Sequence, residues 1–135
     1  MKFLVDANVL SEPTKLAPEP RVVEWLRRGE PDLAVSPIIL GEIEYGILLL
    51  PAGKRRSRLQ DWFREGIGRM RSLDFDASTA SEWAGLLARL RKRGLAMPIK
   101  DSLIAATALA HDLTVATRDT DDYRNAGVRL VNPFR

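Results

Sequence analysis

The feature that most constrains this chain is a rhythm in which short apolar runs of strand length alternate with longer segments of helical spacing. Lys2 to Asp6 is the first run, apolar until it ends in a carboxylate, and it reads as a buried strand. Residues 19–28 read as a helix, with Pro20 in its first turn, Val22, Val23 and Leu26 on one face and Gly29 as a stop. A second strand, Leu33 to Ser36, precedes Pro37, which opens a helix running through Ile47 until Pro51 ends it. Two amphipathic helices are expected next. The first carries Leu59, Trp62, Phe63, Ile67 and Met70, the second Ala80, Trp83, Leu87 and Leu90 as far as Gly94, with a short strand at Leu73 to Phe75 between them. Ile99 to Asp112 is an alanine-rich helix, Thr114 to Thr117 a strand, and Leu130-Val131 a last strand. Such alternation buries its apolar faces when helices cover a central, mostly parallel β-sheet, so the fold class expected is α/β. Sites in open sheets of this kind lie outside the carboxyl ends of the strands.

With 135 residues, no low-complexity linker and no internal repeat, one domain over residues 1–135 is expected. Zero cysteines exclude disulfides, thiolate metal sites and a cysteine nucleophile, and a single histidine, His111, excludes a multi-histidine zinc site. Phe3-Leu4-Val5 is too short an apolar run for export, and no segment is long enough to span a membrane, so cytoplasmic residence is the expectation. The net charge of +3 hides an uneven distribution. Residues 1–53 carry 5 basic and 8 acidic side chains, residues 54–100 carry 12 and 5, and residues 101–135 carry 4 and 5. A basic middle between acidic ends suits a protein that attracts a polyanion on one surface and gathers carboxylates on another.

The acids fall at informative places. Asp6 ends the first strand, Asp119 follows a later strand, and Asp101 begins the helix leading into it. Glu42 lies one turn into a helix that is apolar nearly all round, where a carboxylate needs a partner, a metal or a proton. Taken singly, Asp101 could serve only the helix dipole, and Asp6 and Asp119 could be caps or turn residues. Four carboxylates from four elements at one sheet edge, however, repel unless something neutralises them. An all-oxygen donor set favours Mg2+ or Mn2+. The implied chemistry is metal-assisted hydrolysis of a phosphodiester, which requires no protein nucleophile. Asp122, in the acidic turn after Asp119, is a further candidate.

Phe3-Leu4-Val5-Asp6-Ala7-Asn8-Val9-Leu10-Ser11-Glu12, Ser36-Pro37-Ile38-Ile39-Leu40-Gly41-Glu42-Ile43, Asp101-Ser102-Leu103-Ile104-Ala105-Ala106-Thr107-Ala108 and Ala116-Thr117-Arg118-Asp119 with Asp122-Tyr123 occur in order, and the chain closes with Val131-Asn132-Pro133-Phe134. In these stretches the whole chain resembles the PIN-domain ribonucleases, and among them the VapC-type toxins of bacterial toxin–antitoxin pairs. The resemblance implies a catalytic set of Asp6, Glu42, Asp101 and Asp119, with Asp6 and Asp101 as direct metal ligands. It places Asn8 and Thr117 as hydrogen-bonding support. Many relatives have Asn where this chain has Asp119, followed three residues later by an acid matching Asp122, so which of these two completes the site stays open. The resemblance further implies an RNA substrate, a homodimer, and a cognate antitoxin that fills the groove beside the acids with a basic side chain. The apolar helix around Ile38 to Leu50 would suit either protein partner, and Arg55, Arg56 and Arg58 are the candidate RNA-binding residues.

Three rivals fit less well. A phosphate-accepting receiver domain, the Mg-binding alternative without nuclease activity, expects paired acids after its first strand and a late lysine, but Asp6 lies between Val5 and Ala7, and no lysine follows Lys100. A haloacid-dehalogenase-type phosphatase expects Asp-x-Asp where this chain has Asp6-Ala7-Asn8. A structure-specific DNA nuclease of related fold remains the closer rival, and RNA is favoured over DNA by the resemblance.

Overall fold

Leu4 and Val5 are fully buried because their strand, β1 (Phe3–Val5), runs through the middle of a four-stranded sheet. The computed structural model describes residues 1–135. After β1 come α1 (Ala7–Leu10), α2 (Pro20–Gly29), β2 (Leu33–Ala34), α3 (Pro37–Leu48), α4 (Lys54–Glu65), α5 (Ala77–Lys92), α6 (Ile99–His111), β3 (Thr114–Ala116) and β4 (Leu130–Val131). The strand order is β2-β1-β3-β4 and every pair is parallel, with Leu4 opposite both Ala34 and Val115. The α/β class with helices flanking a parallel sheet is therefore observed as expected. Since the chain passes from β1 to β2 on one side and returns to β3 on the other, the connections diverge between β1 and β3. That crevice, at the carboxyl ends of the strands, is where such sheets place ligands.

The helices begin and end for local reasons. Ser36 caps α3 by accepting from the Ile39 amide at 3.2 Å, and Pro37 follows at the first helical position. Asp76 caps α5 in the same way, accepting from Thr79 N at 2.9 Å. The α6 helix ends at Asp112, a non-glycine residue at φ 54°, whose carboxylate is held by Arg129 at 3.0 Å. Across the α5–α6 contact, Trp83 Nε1 donates to Ser102 Oγ at 2.9 Å, and Ser102 donates in turn to the Ile99 carbonyl. This anchors the first turn of α6, and with it Lys100 and Asp101.

Three expectations need correction. Leu73 to Phe75 do not form a strand, since the only pairing there is a single parallel bridge between Val35 and Ser72. The first amphipathic helix stops at Glu65, and Ile67 continues as a 3-10 turn over Ile67–Arg69, because Gly66 takes a conformation (φ −112°, ψ −96°) that no helix continues. The short helix α1 and a 3-10 turn at Glu12–Thr14 were not anticipated, as four residues are too few to show a helical period. No helix is long and apolar enough to cross a membrane.

Candidate active site

Asp6 is the first residue past β1 and its carboxylate is almost entirely buried. Oδ1 accepts from the Ala7 amide at 2.8 Å, so Asp6 caps α1, which matches the dull reading of this residue without exhausting it. Oδ2 accepts from Thr117 Oγ1 at 2.8 Å and from the Tyr123 hydroxyl at 3.3 Å. Burial raises the Asp6 pKa, and these hydrogen bonds oppose that shift.

Thr117, one residue past β3, is a junction. Its hydroxyl donates to Asp6 while accepting from the Asp119 amide at 3.0 Å and from Asn8 Nδ2 at 3.4 Å. Asn8 also donates to Asp119 Oδ2 at 3.1 Å and accepts from Arg118 N at 3.0 Å. The expected supporting pair thus fastens the 117–119 loop to the start of α1.

Asp101, in the first turn of α6, is half-buried. Its pKa is pushed up to about 6, first by loss of water and then by the negative charges of Asp6 and Asp122. The Tyr123 hydroxyl lies 3.3 Å from Asp6 Oδ2 and 3.4 Å from Asp101 Oδ1. Its one hydrogen serves two carboxylates, and burial between them raises the phenol pKa. Tyr123 was not singled out from sequence. Its only signal was an aromatic beside Asp122, and a phenol in a core is usually packing.

Glu42 is reached from α6 by Lys100, whose Nζ lies 2.5 Å from Oε1. The other oxygen, Oε2, is buried and without a partner. The expectation that Glu42 needs a partner, a metal or a proton is met, on one oxygen, by a lysine that the sequence pattern did not mark. Nothing short of the α3–α6 packing brings together residues 58 positions apart.

Asp6, Asn8, Glu42, Lys100, Asp101, Asp119 and Asp122 all line one groove of about 600 Å³ at the crevice between the β1 and β3 ends. Asp119 and Asp122 are both exposed in it; Asn8 holds the first, while the second is the one whose charge acts on Asp101. Of the three candidate arginines, Arg55 lines this groove, Arg58 joins it in an adjoining pocket with Lys15 and Trp62, and Arg56 lies in neither.

No three of the acids stand close enough to cage an ion among themselves. The donor set nevertheless fits a hard divalent cation. All the side-chain donors are oxygens, one carboxylate oxygen is buried without a partner, and Asp101 is short of positive charge. Mg2+ keeps several waters and needs only one or two protein carboxylates.

Comparison with known proteins gives the family. Residues 3–128 match the PIN domain. The chain is 39% identical over 136 residues to plasmid stability protein StbB of Pseudomonas syringae pv. tomato, covering 98% of both chains. It is 36% identical over 138 residues to VapC ribonuclease Y4jK of Sinorhizobium fredii, covering 98% of this chain and 97% of the other. Superposed on the crystal structure of FitAcB from Neisseria gonorrhoeae, it gives a TM-score of 0.89 at 37% identity, over 98% of this chain and 99% of that one. With its all-parallel sheet and its acids gathered at the strand ends, the chain belongs to the PIN-domain family, in the group of the VapC-type toxins.

Proposed function

We propose that the protein is a Mg2+- or Mn2+-dependent endoribonuclease acting as the toxin of a toxin–antitoxin pair. The observation that carries this reading is the convergence of five carboxylates from four stretches of the chain on one groove, with a basic flank at Arg55 and Arg58. The ribonuclease name of a relative spanning the whole chain supports it.

Asp6 and Asp101 are the direct metal ligands, and Glu42 with Asp119 or Asp122 completes the set and orients the attacking water. A bound divalent ion supplies Lewis acidity at the scissile phosphate and lowers the pKa of a water. Thr117 and Tyr123 hold Asp6 in a single orientation through Oδ2, and Asn8 holds Asp119. Holding donors rigid before substrate arrives is what makes such a site effective. Arg55 and Arg58 neutralise the RNA backbone as it enters.

The partners follow from the surface and from the family. The toxin–antitoxin complexes among similar solved structures support an antitoxin, and an acid groove of this size accepts a basic side chain from it. Tyr45 (64% exposed), Leu48 and Leu49 (67%) make an apolar face at the C-terminal end of α3 that a second copy of the chain covers in a homodimer. The setting proposed for all of this is the cytoplasm.

The test is cleavage of mixed-sequence single-stranded RNA and DNA by purified, antitoxin-free protein with Mg2+, Mn2+ or EDTA, beside Asp6→Asn. RNA cleavage that requires both metal and Asp6 is expected. Cleavage of DNA alone would replace RNA by DNA as substrate, and metal-independent cleavage would end the proposal.

A further inference from the structure

Lys100 stands in the first turn of α6, at the positive end of the helix dipole, where a cation is disfavoured. What compensates is the groove. Nζ lies 2.5 Å from Glu42 Oε1, and Asp101 and Asp6 line the same groove. The side chain is 49% exposed, so its ammonium can exchange Glu42 for water. Glu42 is therefore divided. One oxygen is held by an ammonium, while the other is buried without a partner.

We propose that Lys100 is a resident cation that occupies Glu42 in the metal-free groove and competes with the divalent ion for that carboxylate, so that it sets the metal affinity of the site. This rests on reading the groove as a metal site. Two cations beside one carboxylate repel each other, so each is held less tightly while the other is near. The ion then gains the full attraction of Glu42 only when the lysine has moved away. Until it does so, the ammonium offsets the repulsion among the acids and keeps the folded groove from carrying its full negative charge.

The experiment is calorimetric titration of the purified protein with Mn2+, beside thermal melting in EDTA, for wild type, Lys100→Gln, Glu42→Gln and the double variant. Lys100→Gln is expected to bind Mn2+ on the order of tenfold more tightly and to melt at lower temperature in EDTA, with Mn2+ reversing the loss. In the Glu42→Gln background the same lysine substitution is expected to change affinity less than about threefold, since the carboxylate competed for is gone. Lys100→Met, of similar length and without charge, must repeat the Gln result, and Lys100→Arg must resemble wild type. Equal tightening in both Glu42 backgrounds would reduce the lysine to a general charge effect and overturn the proposal, as would unchanged or weaker binding in Lys100→Gln. If wild type binds Mn2+ and the lysine variants match it, this inference fails while the metal reading stands. If no variant binds Mn2+, both fail.

Discussion

Replacing Asp101 by Asn removes a charge that the folded, metal-free protein holds at a cost. Its carboxyl keeps its proton up to about pH 6 in the folded state, against a usual value of 3.8, because it is partly dehydrated and faces Asp6 and Asp122. Between pH 3.8 and about 6 the folded chain therefore binds more proton than the unfolded chain, and stability falls as pH rises through that window. Above it the penalty is fully present; below pH 3.8 it is absent. Roughly two units at 1.36 kcal/mol each set a ceiling near 3 kcal/mol, which partial exposure of the group reduces to about 1–2 kcal/mol. Asn retains the oxygen that accepts from Tyr123. Urea denaturation in EDTA should therefore show Asp101→Asn more stable than wild type by about 1–2 kcal/mol at pH 7.5, and within about 0.5 kcal/mol of it at pH 4. In melting this corresponds to a gain of roughly 3–8 °C. Loss of stability at pH 7.5, or the same gain at both pH values, would refute the argument that dehydration and the neighbouring acids make the Asp101 charge costly in the folded state. Glu42→Gln should show no such gain, since it leaves the Lys100 ammonium without its partner.

Thr117→Val keeps the shape of a fully buried side chain but removes the donor to Asp6 and the acceptor for the Asp119 amide, so a loss of about 1–3 kcal/mol in urea denaturation is expected, with cleavage reduced. An unchanged protein would mean that this junction is idle. Charge reversal at Arg55 and Arg58 should lower the slope of log affinity for single-stranded RNA against log salt by about 0.7 each, whereas Arg56→Glu should leave it alone. Equal effects at all three would show that the groove does not guide the RNA. Leu49→Asp, at the exposed C-cap of α3, should convert a dimer to a monomer in size-exclusion chromatography at micromolar concentration, and a dimer that persists would place the interface elsewhere.

Much of this molecule follows from the chain read locally. Apolar runs at Phe3–Val5 and Thr114–Ala116 alternating with helical spacing lead to a covered parallel sheet, and they put Asp6 and Asp119 just beyond strand ends. Pro37 after Ser36 and Asp76 before α5 start helices through backbone geometry and hydrogen bonds within four residues. Such features are set by neighbours in sequence, so a pattern displays them. Other features depend on the directions in which packed elements point their side chains. The sharing of one Tyr123 hydrogen by Asp6 and Asp101, the reach of Lys100 to Glu42 and the choice of Arg55 over Arg56 for the groove all turn on how α3, α4 and α6 pack about the sheet. Leu73 to Phe75 looked like a strand because its alternation is local, yet a strand needs a partner of matching length, and the chain just past β2 offers only the single bridge from Val35 to Ser72. The carboxylates were legible in sequence because their charge demands an explanation wherever they lie. The groups that answer that charge became visible only when distant parts of the chain were brought within hydrogen-bonding distance.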